Sequence, residues 1–330
     1  MNEMVKAKCD LFIDNRAKME KGFKWSNSLM NIAAALTFTL ENQAVDLERL
    51  KECKKLLEKN TGIFSGFQSY GMPIVVSKMA MSNDPIQYLN DIKPMYEKIC
   101  KGMGLTDSSY LIQSAICIYE ADRLYDADSI IARFKELYKK MGKVHPLITS
   151  SDDVVFAMLL TLTDKSHDTI IREMEDCYNY LKKDVKLKVG SNEIQGISEV
   201  LTLSDGDMKE KCDKVVNLYN TFKEHGKKYG HEYNEFSSLG TLIDIDMDKD
   251  ALVDEIIEVA DYLKSAKGFS SWTLDNKQRL MFAAMIVGDT YNDNRAKATY
   301  SAINSTVAAV IAEEIALMMC IMICATSNTN

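Results

Sequence analysis

A hydrophobic pattern with helical spacing returns about every forty residues along the chain. One copy consists of Leu89, Ile92, Met95, Tyr96 and Ile99, and this spacing places all five side chains on one face of an α-helix. The aromatic or leucine position of successive copies falls at Leu57, Tyr96, Tyr138, Tyr178, Tyr219 and Leu263, at intervals of 39 to 44 residues. Lys and Glu dominate the opposite face, so each copy predicts an amphipathic helix that covers a core.

A more uniformly apolar segment precedes most of the amphipathic helices. Residues 110–119, 153–162 and 280–287 are apolar on nearly every side, which predicts buried helices. Acidic or amide residues follow the buried helices, and we expect them to cap the next helix; they are Asn83, Asp122, Asp164, Asp205, Asp246 and Asp289. Lysines end the amphipathic helices, where they complement the helix dipole. Stacked units of this kind would carry acidic turns on one rim and basic turns on the other.

The pattern predicts an all-α protein built from about seven helix pairs of roughly forty residues. We expect one domain over residues 1–330, with an N-terminal helix in residues 1–21, repeats in residues 22–303 and an apolar C-terminal helix and tail in residues 304–330. The repeat length favours an α-solenoid of the HEAT kind. A closed α/α toroid remains the alternative, because a repeat array can also close on itself.

Four segments carry a resemblance that spans nearly the whole chain. They are FKWSNSLMNIAAAL at residues 23–36, NTGIFSGF at 60–67, HPLITSSDDVVFAMLLTLTD at 145–164 and KGFSSWTLDNKQRLMFAAMIV at 267–287. Their amino-acid sequences resemble those of an uncharacterised bacterial family, which is commonest in Firmicutes and known only as a domain of unknown function (DUF4003-like). The resemblance implies a bacterial cytoplasmic protein, and it implies no activity or catalytic residue.

Charge, cysteine spacing and apolar segments indicate where in the cell the protein lies and which classes of partner it binds. The net charge of −8 disfavours nucleic acid as a partner. The eight cysteines show no CxxC spacing, and the N-terminus shows no apolar signal segment, so we expect a cytoplasmic protein with reduced thiols. Residues 307–325 are long and apolar, but Glu313 and Glu314 interrupt them. We therefore expect this helix to cover the end of the array or to form a homo-oligomer contact rather than to enter a membrane.

One acidic segment resembles a calcium-binding loop. Asp244, Asp246 and Asp248 alternate, and Glu255 stands at the twelfth place, as carboxylate ligands of a hard cation do. Lys249 occupies the sixth place, where such a loop needs glycine for its turn. Helix capping therefore explains the segment better than metal binding. We expect no metal and no cofactor, since phosphate-binding and zinc-binding motifs are missing as well.

Two tryptophans occur in similar settings near the two ends of the array. Trp25 follows Lys21-Gly22-Phe23, and Trp272 follows Lys267-Gly268-Phe269. A role as core anchors is favoured over exposure for partner binding, because terminal repeats need large apolar side chains to close their cores.

Three functions fit these observations. The leading hypothesis is a non-enzymatic helical-repeat protein that binds a protein or peptide partner, since stacked helix pairs form long binding surfaces and no catalytic motif is found. The alternative is an enzyme or small-molecule binder with a cavity inside a closed array. Its candidate binding residues lie on the buried helices and are Gln113, Glu193, Gln195, Glu199, Glu235 and Arg279. A third hypothesis is a self-assembling protein that uses the apolar C-terminal helix.

Overall fold

A computed structural model describes residues 1–24, 26–62, 65–104, 108–163, 165–230, 235–293 and Glu313. These residues form helices and connecting turns and contain no strand, which confirms the all-α prediction. The helices are α1 (Glu3–Gly22), α2 (Ser28–Leu40), α3 (Leu47–Asn60), α4 (Met72–Met81), α5 (Pro85–Cys100), α6 (Ser108–Glu120), α7 (Ala127–Val144), α8 (Val154–Leu162), α9 (His167–Asn179), α10 (Ser191–Thr202), α11 (Met208–Glu224), α12 (Lys249–Ser265) and α13 (Asn276–Asp293). Short 3₁₀ segments include Ser151–Asp153 before α8 and Glu235–Thr241 before α12.

The chain packs as two compact units. Unit 1 comprises Met1–Leu47 together with Lys209–Asn330, and unit 2 comprises Glu48–Met208. Buried and amphipathic helices alternate in unit 2, where α4, α6, α8 and α10 are buried along most of their length. The amphipathic helices α3, α5, α7 and α9 bury one stripe each. In unit 1, all of residues 280–287 in α13 are buried, as their apolar character predicts.

For two helices, α5 and α12, the cap lies one or two positions later than the sequence prediction placed it. Asp84 rather than Asn83 caps α5, and Asp248 rather than Asp246 caps α12. An N-cap side chain reaches the free N–H groups of the first turn only from the residue directly before the helix. Asp289 was predicted to lie in a turn and instead lies inside α13, which continues to Asp293. The predicted cap position Asp164 lies outside the described residues.

Acidic and basic helix ends meet in unit 2. Lys98 in the last turn of α5 pairs with Asp128 in the first turn of α7, at 2.5 Å. Lys140 near the end of α7 pairs in the same way with Asp168 at the start of α9, at 3.1 Å. The predicted separation of acidic and basic turns onto two rims is therefore wrong, because the basic end of one amphipathic helix lies beside the acidic start of the next.

Helix α1 packs against three other helices of unit 1. It lies along α2 and also contacts α12 and α13. Asn2 donates its backbone N–H to Glu255 Oε1 of α12 at 2.9 Å, and the Tyr262 hydroxyl of α12 donates to Asp10. The first described helix therefore packs directly on the last two complete helices.

Two further features concern location. None of the described helices is both long enough and apolar enough to cross a membrane. The six cysteines in the described part of the chain are free thiols, and five of them are buried.

Candidate functional site

Two of the six candidate binding residues come together in unit 2, around a carboxylate that the sequence prediction missed. Gln195 and Glu199 are one turn apart on α10, and Gln195 Nε2 donates to Asp153 Oδ1 at 2.8 Å. Gln195 Nε2 also donates to Glu199 Oε1 at 3.3 Å, so one amide group bridges two buried carboxyl groups. Two carboxyl groups this close together in a buried site favour the protonated form of one of them.

Local structure fixes the cluster. Asp153 ends a 3₁₀ turn in which its Oδ2 accepts the backbone N–H of Ser150 at 2.6 Å, which forms a capping box before α8. Burial, followed by the neighbouring charge of Asp152, raises the pKa of Asp153 to about 7. Burial also raises the pKa of Tyr138, to about 12, and the Tyr138 hydroxyl donates to the Ser150 carbonyl oxygen at 2.9 Å. The arrangement can store and release one proton near neutral pH.

The cavity beside Gln195 is too small for an organic ligand. It measures about 10 Å³, and His145, Thr149 and Glu175 contribute to its lining. This volume accommodates about one water molecule. Gln195 Oε1 is buried and has no hydrogen-bond partner, but the surface that faces this cavity is apolar and offers a water molecule no polar partner.

The other candidates lie elsewhere. Gln113 is buried on α6, and Glu193 lies in the first turn of α10 against Gly190, both in unit 2. Glu235 is buried in unit 1, where its carboxylate packs against the backbone of Gly230. The six candidates therefore divide between the two units.

Arg279 supports the loop between α12 and α13. It projects from α13 and donates to the carbonyl oxygens of Phe269 (3.1 Å) and Leu274, which lie at the two ends of the loop between α12 and α13. Burial lowers the pKa of Arg279, and its donors are directed at these loop carbonyls. Trp272 lies in the middle of this loop with its surface 100% exposed. The predicted role of Trp272 as a core anchor is wrong, because the neighbours Phe269 and Leu274 fill the core instead. Trp25, for which the same role was predicted, lies outside the described residues.

The calcium-like segment makes other contacts. Asp248 caps α12 by accepting the N–H groups of Asp250 (3.0 Å) and Ala251 (3.1 Å), and Asp244 pairs with Lys214 at 3.3 Å. Glu255 accepts from Asn2 and from the Tyr291 hydroxyl, while Asp246 is exposed. Within the described ranges, no three His, Cys, Asp or Glu side chains are grouped as metal ligands.

Comparison with known proteins places the chain in a family. A family model described as "Protein of unknown function (DUF4003)" matches residues 15–316. No curated protein matches the chain. No solved structure matches it either. Because the matched region covers most of the 330 residues, the chain belongs to the DUF4003 family, a family of unknown function.

Proposed function

We propose that this protein binds a protein or peptide partner, with Trp272 as the anchor residue. The observation that carries the proposal is the full exposure of the Trp272 side chain, on a loop whose Phe269 and Leu274 are buried. Tryptophan is enriched among the residues that dominate binding energy at protein interfaces. A free tryptophan surface has a large apolar area to bury against a partner.

The loop is held in one conformation before any partner binds. The backbone N–H groups of Thr273 and Leu274 both donate to the Ser270 carbonyl oxygen, at 2.8 and 3.0 Å. Arg279 binds the loop at both ends, as described above. A loop ordered in advance loses less conformational entropy on binding, which favours affinity.

We also propose that the chain is built from repeated helix pairs. The ion pairs Lys98–Asp128 and Lys140–Asp168 recur at matching places on successive amphipathic helices, which supports a repeated helix-pair unit. Within unit 1, α1 packs on α12 and α13, so helices that are far apart in the sequence meet in one unit.

We also propose that the protein is located in the cytoplasm of a bacterium. Free, mostly buried thiols support a reducing bacterial cytoplasm. An enzymatic role at the Asp153 cluster has less support, because the cavity beside it measures only about 10 Å³.

Site-specific photocrosslinking in cells tests the partner proposal. A photoreactive phenylalanine analogue replaces Trp272 in one strain, and it replaces Leu147, a 95% exposed side chain of unit 2, in a control strain. We expect a discrete protein adduct specific to position 272. With the purified partner, Trp272→Ala should weaken binding by about thirtyfold or more, while Leu147→Ala should leave it unchanged. Equal adducts at both positions, or none at 272, would contradict the proposal.

A further inference from the structure

A basic cleft in unit 1 lies between α1 and the start of the α12–α13 loop. Its volume is about 430 Å³, within the range of pockets that bind small molecules. Ile13 and Ala17 contribute an apolar part of the lining, and both are only partly buried. Such a lining can take up the carbon skeleton of a ligand as well as its charged groups.

Cations dominate the remaining lining. Lys21, Lys24 and Lys267 are exposed at the cleft, and within the described residues none of them takes part in an ion pair. Arg16 adds a fourth positive charge, and Glu20 is the single carboxylate of the lining. Several cations around one cleft produce a positive potential that concentrates anions.

Arg16 contributes a largely buried positive charge to the lining of the cleft. The residue is only 5% exposed; it pairs with Glu20 through Nη1, and Nη2 donates to Ser28 Oγ at 3.4 Å. Its Nε–H is buried on the side that faces Gly268, so Arg16 acts on a ligand through its charge.

Gly268 keeps the guanidinium in place. A Cβ atom built on Gly268 would lie 2.1 Å from Arg16 Cζ and 2.4 Å from Nε, far inside contact distance. Gly268 also has φ +93°, a conformation that residues with side chains rarely adopt. The buried rings of Phe12 and Phe269, with centroids 4.9 Å apart, anchor the backbone next to it. The residue pair Lys267-Gly268 therefore supplies both a cation and the space for Arg16.

From these observations we infer that the cleft is a binding site for a metabolite-sized polyanion, with the exposed cations Lys21, Lys24 and Lys267 binding its oxyanion groups and Arg16 adding positive charge beside them. The shared chemistry is a multiply charged oxyanion, from either a phosphate ester or a polycarboxylate. This inference goes beyond the partner binding proposed above and does not depend on it.

Calorimetric titration of the full-length protein with pyrophosphate and with citrate, at constant ionic strength, tests the site. We expect saturable one-to-one binding, and the tighter of the two probes identifies the phosphate or the carboxylate source. Replacing Lys21, Lys24 and Lys267 together by alanine should weaken binding roughly tenfold to hundredfold without loss of folding, since all three are exposed. Glu20→Gln should tighten binding up to roughly fivefold, because it removes the competing carboxylate.

The matched control replaces Lys183, Lys186 and Lys188, three exposed lysines of unit 2 that do not line this cleft, by alanine. It removes the same charge and should leave the affinity unchanged. Gly268→Ala should weaken binding while keeping every charge, because the added methyl group displaces Arg16. Equal losses in the two lysine triples, or no saturable binding of either probe at millimolar concentration, would overturn the proposal.

Discussion

Lys8 of α1 and Asp289 of α13 form a buried ion pair, although 281 positions separate them in the sequence. Their side chains are 6% and 1% exposed. This contact joins the first and last complete helices of the described chain inside unit 1. It explains why a charged residue is tolerated within α13, since a buried carboxylate needs an opposite charge beside it.

Removal of one partner of this pair should destabilise unit 1. We expect Lys8→Met to lower the free energy of unfolding by about 3–5 kcal/mol, because it removes the positive charge from a buried carboxylate. The double variant Lys8→Met with Asp289→Leu should recover most of this loss. Urea denaturation followed by circular dichroism measures both.

Lys6→Met is the matched control. Lys6 lies on the same helix and pairs with Asp10 at 4.0 Å, but both side chains are about half exposed. Such surface pairs contribute about 0–1 kcal/mol, so stability should barely change. If Lys6→Met and Lys8→Met had equal effects, the buried pair would have no special part in joining α1 to α13.

The Asp153 cluster should make stability depend on pH. Asp153 has a pKa raised from 3.8 to about 7 in the folded protein, so the folded state binds a proton that the unfolded state has released over this range. Stability from this group is therefore fully present below about pH 4 and decreases as the pH rises to about 7. Asp153→Asn should flatten this part of the profile and raise the urea midpoint above pH 7, because the cluster then buries one ionisable group fewer.

Asp205→Asn provides the comparison for that profile. The Asp205 side chain is 97% exposed in the same unit, so its replacement should leave the slope between pH 4 and pH 7 unchanged. An Asp153→Asn profile parallel to the wild-type profile would show that the cluster does not retain its proton on folding.

Helical periodicity predicted much of this fold because it records which face of each helix is buried. The uniformly apolar segments at 110–119 and 280–287 are buried helices, as predicted. Periodicity does not record contacts between distant segments. It could not show that Asp289 pairs with Lys8, or that Asp153 meets Gln195 and Glu199.

The position of Trp272 illustrates the same limit. Its neighbours have the same apolar character, and only the three-dimensional path of the loop decides that Phe269 and Leu274 enter the core while Trp272 does not. The basic cleft was missed for a similar reason. Lys21 and Lys267 belong to two similar sequence motifs, but their convergence around Arg16 is a property of the packed helices.

Stability should separate the two aromatic residues of the α12–α13 loop. Phe269→Ala should cost about 3–5 kcal/mol, because it removes a fully buried ring that packs on Phe12. Trp272→Ala should change stability by less than about 0.5 kcal/mol, since the side chain is fully exposed. Thermal denaturation of both variants tests this. A clear loss of melting temperature for Trp272→Ala would mean that Trp272 is packed in solution and is not free for a partner.

Removal of the C-terminal segment should expose apolar surface on unit 1. Most of residues 304–330 lie outside the described residues, but Glu313 is helical and buried, and its Oε1 accepts from Thr37 Oγ1 of α2 at 2.8 Å. Since α2 is buried at every position except Ser28, a chain ending at Thr306 should expose part of it, bind a hydrophobic dye and aggregate.

A chain that lacks only residues 326–330 should behave like the full chain. If the Thr306 truncation instead yields a soluble monomer with unchanged melting, the segment does not cover α2. Conversion of a larger wild-type species into that monomer would favour self-assembly through the C-terminal helix.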